Sequence, residues 1–273
     1  MENAVIILFV VVMAILFLSS VSWVTYLFAR ATFNAAFGDV RSRMLPIKPG
    51  YKIVLKKYFD FYKRLSPPNK KLFERKVQYF ITAKTFIPRN IPKVTDEMKA
   101  LIAASAVQLT FGYPKVILSH FTKILVYPDD YYSMINKKNH KGEVNPGYGI
   151  IVLSWKNFVE GYINAHDSRN LGLHEMAHAL RFENRIQNED YNFLDPSLLG
   201  KWKELSISER EKMENGTSTF LRDYAMTDRE EFFAAAVEHF FENPEKFNRE
   251  RPELYQTLSG LLRQDPLQLF NLG

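Results

Sequence analysis

Residues 167–184 read DSRNLGLHEMAHALRFEN, and the pentad at their centre, His174-Glu175-Met176-Ala177-His178, decides how the rest of the chain is read. Asp167-Ser168 supplies a candidate N-cap, and Leu171, Leu173, Ala177 and Leu180 follow at helical spacing. On a helix, His174 and His178 stand one turn apart and face the same way. Both imidazoles can then close on one divalent cation at about 2.0–2.1 Å. Glu175 is offset by one position; it cannot share that ligand geometry, but it can reach a water held on the metal. This is the HExxH arrangement, two ligands and a general base. A catalytic zinc site needs a third protein ligand, with a fourth position left for water. A His six residues after His178 would continue one such pattern, but Asn184 stands there. The third ligand is expected from elsewhere, as a carboxylate on another helix.

Working outward, Thr227-Asp228-Arg229-Glu230 reads as a capping box with Thr227 as N-cap and Glu230 three residues on. In the helix behind it, Phe232, Phe233, Val237 and Phe240 make a wide apolar face. Glu231 sits in the first turn beside that face, and Glu238 lies two turns later on nearly the same side. Spacing alone leaves both open as the inward carboxylate.

Composition narrows the chemistry. The chain has 273 residues, 47% hydrophobic and 24% charged, which excludes wholesale disorder. It has no Cys, which excludes disulfides, thiol nucleophiles and thiolate metal sites, so a metal must use His and carboxylate ligands. Residues 31–50 read as a linker with Gly38, Pro46, Pro49 and Gly50. From Tyr51 to Ala83 the pattern is helical, with Leu55, Phe59, Tyr62 and Leu65 on one face and a break at Ser66-Pro67-Pro68-Asn69. Thr95 caps another helix, whose Ala100–Thr110 stretch is small and apolar. Ile124–Tyr127 reads as a short strand stopped by Pro128, Ser133–Gly149 as a polar loop or hairpin, and Tyr148–Trp155 as the clearest strand. That last strand is expected to offer an edge along which an extended peptide pairs. The pattern is mainly helical α+β with a small sheet.

The N-terminus is a separate object. No charge lies between Glu2 and Arg30, and Ala4–Phe28 is apolar. As a helix it would span roughly 37 Å, enough for a membrane core of about 30 Å. Ser20-Val21-Ser22 could pass for a signal-peptide cleavage site, but Met1-Glu2-Asn3 lacks the basic flank such a peptide carries. The expectation is one transmembrane helix in residues 1–30, a basic linker in 31–50 and a folded domain carrying the pentad in 51–273. The chain would then be a single-pass protein of the cell membrane. Arg30, Arg41, Arg43 and Lys48 follow the apolar run, which places the domain in the cytoplasm. The net charge of +6 comes with no nucleic-acid recognition motif, so no nucleic-acid partner is expected.

From about Tyr51 to Gln268 the sequence resembles the zinc peptidases of the Mlc titration factor A type, which share a zincin fold with the catalytic domain of anthrax lethal factor. The resemblance is carried by Thr95-Asp96-Glu97-Met98, Ile124–Tyr127 with Pro128, Val152-Leu153-Ser154-Trp155, His174–His178, Glu231-Phe232-Phe233-Ala234, Phe240-Phe241 and Gln264-Asp265-Pro266-Leu267-Gln268, in that order. It implies a zincin-like peptidase domain with one Zn²⁺ per chain, held by His174, His178 and Glu231. It implies Glu175 as base, Tyr224 steadying the oxyanion, and Glu238 orienting a His ligand. Family members often carry an acidic residue three positions after the second His; Arg181 stands there, with Glu183 as the candidate replacement. The expected activity is hydrolysis of a peptide or protein substrate through a zinc-activated water, with an aminopeptidase-like preference implied by the family. The alternative is a regulatory module that sequesters a transcriptional regulator, its zinc structural or vestigial.

Overall fold

The computed structural model describes Met13, residues 19–23, Thr25, and residues 45–133, 137–163, 168–188 and 191–269. The chain divides into two compact units, Met1–Leu45 and Pro46–Gly273. The membrane-spanning expectation is corrected here. Among the described residues no helix is long and apolar enough to cross a membrane. A span needs about 20 consecutive apolar residues. The longest described helix, Pro196–Glu214, carries Lys201, Lys203, Glu204, Glu209 and Arg210. The single-pass location, its cytoplasmic orientation and the membrane partner are withdrawn together. Most of residues 4–28 and 31–44 lies outside the described residues.

In the second unit, α1 (Pro49–Tyr58), α2 (Asp60–Arg64) and α3 (Pro67–Ala83) fill the stretch read as helical. A break at Phe59, with φ −111° and ψ 96°, separates the first two. The pattern hid it because Phe59 is apolar at helical spacing, and its ring packs on Phe73 and Tyr162. Helix α4 (Asp96–Thr110) starts as expected, with Thr95 Oγ1 accepting from Met98 N at 3.2 Å. Every residue from Ala100 to Thr110 is buried. A helix apolar all round must be enclosed, and α1, α3 and the HExxH helix pack around it.

The sheet has four strands in the order β1 (Thr85–Pro88), β2 (Lys123–Tyr127), β6 (Ile150–Ser154), β5 (Gly142–Asn145). The first three are parallel and β5 is antiparallel to β6. β3 (Tyr131–Ser133) and β4 (Lys138–His140) form a separate ribbon. Two expectations change. The strand read as Tyr148–Trp155 ends at Ser154, and Trp155 opens α5 (Trp155–Ile163). β6 also pairs on both sides, with β2 and β5, so its backbone offers no edge to a peptide. The edge on that side of the sheet belongs to β5, from the stretch read as a polar loop or hairpin.

The remaining helices are α6 (Leu171–Glu183), α7 (Pro196–Glu214), α8 (Arg229–Glu242), α9 (Pro244–Glu250), α10 (Pro252–Leu262) and α11 (Pro266–Leu269), with a 3-10 turn at Asp223–Met226. Helix α6 packs on α4, α8, β5 and β6. A Cβ on Gly172 would stand 2.6 Å from the Phe158 ring and 2.7 Å from Ser105 Oγ, so only glycine allows this approach. Phe232, Phe233 and Phe240 of α8 are fully buried. Each such ring is worth roughly 1.5–3 kcal/mol of transfer free energy; Phe232 and Phe233 pack on Trp202 of α7 and Phe240 on Tyr255 of α10, which fixes α8 in the core.

Candidate metal centre

Each of the two helices at the centre starts on its own cap. Asn170 caps α6, its Oδ1 accepting from Leu173 N at 3.0 Å. Asp167-Ser168 was the expected cap; Asp167 lies outside the described residues, and Ser168 Oγ instead lies 2.6 Å from His239 Nδ1. Only the residue directly before the first helical one can reach the N3 amide. Asn170 Nδ2 also donates to Glu242 Oε1 at 3.1 Å, tying the start of α6 to the end of α8. Helix α8 is capped by Asp228, whose Oδ1 accepts from Glu230 N at 2.8 Å and Glu231 N at 2.9 Å. Thr227, read as the cap, donates back to Tyr224 O at 2.8 Å.

These caps and the α6–α8 packing bring His174, His178 and Glu231 together, with one candidate ligand atom from each within 4.8 Å of the others. His174 Nε2 lies 3.0 Å from Glu231 Oε2, His178 Nε2 lies 3.4 Å from Glu231 Oε1, and the two Nε2 atoms are 3.1 Å apart. Glu238 meets the other side of the same ring, with Oε1 2.7 Å from His174 Nδ1. The two carboxylates that spacing left open therefore bracket one imidazole. A carboxylate on that side accepts from Nδ1–H; with a cation bound, the Nε2 lone pair would then face Glu231 and His178.

Charge follows this geometry. Burial opposes protonation of His174, but Glu231 and Glu238 push its pKa up to about 10. Burial would raise Glu231 too, yet hydrogen bonds from both imidazoles hold it well below the ordinary carboxylate range. Burial pushes the Glu175 carboxyl up, with His174 and His178 opposing. A nest this acidic takes up positive charge readily. The donor set fits a divalent cation: two imidazoles and a carboxylate is a ligand set of catalytic metal sites. Glu231 Oε2 is buried, with the His174 imidazole as its close neighbour.

Glu175 is buried beside the cluster. Gly142 of β5 passes against it: a Cβ there would stand 2.4 Å from Glu175 Oε1. Tyr224, on the 3-10 turn, is 54% exposed, and its ring centroid is 6.2 Å from that of His174. Burial and the Glu231 charge push its phenol up to about 12, so it stays protonated at neutral pH. A cleft of about 790 Å³ is lined by His140, Gly142, His174, Glu175, Arg222 and Tyr224 among others.

Arg181 and Glu183 depart from expectation. Arg181 Nε pairs with Glu230 Oε2 at 3.1 Å, and the guanidinium lies over the Phe233 ring. Glu183 does not take up the missing acid's place. It is fully buried and accepts from Ser119 Oγ and His120 N, both at 3.0 Å, bracing the segment before β2. Residue reading missed Asn170, Gly142 and Arg222. Asn170 had a local signal, a capping residue directly before an apolar run. The other two act only through contacts with distant chain.

The sequence profile described as glucose-regulated metallo-peptidase M90 matches residues 38–263. The chain is 28% identical over 247 residues to the Synechocystis sp. protein slr2042, covering 84% of this chain and 90% of that one. It is 26% identical to Mlc titration factor A of Pectobacterium atrosepticum, over 69% of this chain and 76% of the relative. The Mlc titration factor A of Serratia proteamaculans is 27% identical, over 67% and 76%.

Proposed function

The chain belongs to the glucose-regulated metallo-peptidase M90 family, and from that premise we propose that it is a zinc-dependent peptidase whose catalytic body is residues 51–273. The observation that carries this reading is the convergence of His174, His178 and Glu231 from two helices far apart in sequence, with Glu175 buried beside them. Those three residues would hold the metal, which when bound supplies Lewis acidity and a water acidic enough to ionise near neutral pH. Glu175, a buried carboxylate of raised pKa, accepts the proton of the attacking water and returns it to the leaving amine. Tyr224 donates its phenolic O–H to the oxygen on which negative charge develops. Glu238 keeps His174 in the Nδ1–H tautomer. The free edge of β5 suits a substrate that presents extended backbone, a peptide or unstructured segment.

The test is metal content and fluorogenic-peptide turnover of the full chain, with and without chelator, for wild type and Glu175→Gln. Zinc in both proteins with cleavage only in wild type supports the reading. A metal-free folded wild type, or equal turnover in the variant, rejects it. A second reading is favoured by the names of the Pectobacterium and Serratia relatives, which tie them to Mlc. On that reading the body binds a regulatory protein and the metal is structural, and metal-replete protein turns over no peptide.

A further inference from the structure

Arg222 ends the approach to the 3-10 turn that carries Tyr224 and sends its side chain to the back of the metal centre. Nη2 lies 2.5 Å from Glu238 Oε1, the same oxygen that faces His174 Nδ1 at 2.7 Å. The other carboxylate oxygen accepts from Asn170 N, at the cap of the HExxH helix. The Glu238 side chain is 1% exposed, whereas that of Arg222 is 32% exposed toward the cleft it helps to line. Burying a carboxylate is costly unless it is paired and hydrogen-bonded, and an Arg guanidinium carries its charge at every relevant pH. The pair keeps Glu238 an acceptor, which obliges His174 to donate from Nδ1 and turn Nε2 toward Glu231 and His178.

The same ion pair clasps one end of the turn. Ala225 N donates to Arg222 O at 2.9 Å, and Ala225 is fully buried. At the far end Arg210 Nη2 donates to Met226 O at 2.6 Å. Tyr224 lies between the two clasps, two residues from Arg222. One side chain thus fixes the start of the turn and the carboxylate behind a candidate ligand.

We propose that Arg222 is a positioning residue that sets the orientation of His174, through Glu238, together with the placement of Tyr224, through the turn it opens. This rests on the metallopeptidase reading above. It is tested on the full chain with Arg222→Met, Arg222→Lys, Glu238→Gln and the Arg222→Met/Glu238→Gln double variant. Zinc affinity is read by chelator competition, ligand geometry by the visible spectrum of the cobalt-substituted protein, and cleavage as kcat and KM separately. Arg222→Met is expected to weaken zinc by roughly 10- to 100-fold, the range found for partners that orient metal ligands, to shift the cobalt bands, and to lower kcat more than it raises KM. Arg222→Lys should recover part of each loss, and the double variant should lose less than the product of the single losses, because both act through one carboxylate. If Arg222→Met does not fold, Arg222→Lys carries the test with smaller shifts in the same direction. Zinc affinity and cobalt bands unchanged in the Arg222 variants, or losses that multiply independently, overturn the proposal alone. A wild type that binds no zinc overturns the metallopeptidase reading and this proposal with it.

Discussion

Gly142 and Glu175 meet without room for one methyl group between them: a Cβ on Gly142 would lie 2.4 Å from Glu175 Oε1 and 2.6 Å from its Cδ. The β5 edge and the candidate base are thus in van der Waals contact. A residue from the polar stretch before β6 sets where the carboxylate can stand.

Gly142→Ala should therefore displace the Glu175 carboxylate. A misplacement near 1 Å at a reacting group costs on the order of 100-fold in rate, so kcat should fall roughly 10- to 100-fold with zinc retained. Steady-state kinetics beside metal analysis checks this; full activity in the variant would show that Glu175 has freedom the geometry denies it.

Tyr224→Phe removes one hydroxyl from a side chain that is 54% exposed. Stability should change by less than about 0.5 kcal/mol, and zinc should stay. If the hydroxyl serves the oxyanion, kcat should fall by about 100-fold or more with KM little changed. A variant with wild-type kcat would make Tyr224 a cleft-lining residue and nothing more.

Glu231→Gln keeps the shape of the side chain but removes the charge shared between His174 and His178. Stoichiometric zinc should be lost after dialysis against a weak chelator, and turnover with it. Glu230→Gln is the control: its carboxylate pairs with Arg181 and Arg185, so zinc content should be unchanged.

Asp228→Ala deletes the cap that takes the amides of Glu230 and Glu231. Loss of such a cap costs about 1 kcal/mol, up to about 2, measurable as a lower urea midpoint at unchanged slope. A Thr227→Val variant that costs more than Asp228→Ala would return the cap to Thr227.

His239 predicts an acid weakness separate from the candidate metal ligands. Burial, aided by Lys246 and opposed by Glu250, lowers its pKa from 6.5 to about 4. The folded state thus binds its proton later than the unfolded chain as pH falls. The stability this contributes is complete above about pH 6.5 and is lost progressively down to about pH 4. From pH 7 to pH 5 the loss is on the order of 2 kcal/mol. His239→Asn, which can keep a polar atom toward Ser168, should be less stable at pH 7 but should fall less steeply in urea titrations across that window. An identical slope would show that His239 takes up its proton as readily in the folded as in the unfolded chain.

What was legible in the sequence was local. The spacing of His174 and His178 puts both rings on one side of a helix, whatever surrounds it. Thr95 caps its helix through an amide three residues away, and the proline break at 66–68 and the buried stretch Ala100–Thr110 follow from the chain's own propensities. The cap of α8 was misplaced by one residue because Thr227 and Asp228 both suit the position. Their hydrogen bonds, not their types, separate them.

The tertiary structure decided the rest. Glu231 and Glu238 are two turns apart on one helix, and periodicity treats them alike. Packing of α8 across α6 sends one to Nε2 and the other to Nδ1 of the same ring. Which strand keeps a free edge depends on pairing, and β6 lost its edge to β5. Arg222 and Gly142 matter only through partners far along the chain, with Glu238 sixteen residues from Arg222. Helix periodicity and capping act over three or four residues and can be read in one dimension. A ligand's third partner, a sheet's edge and a side chain's neighbour arise only when distant segments are brought into contact.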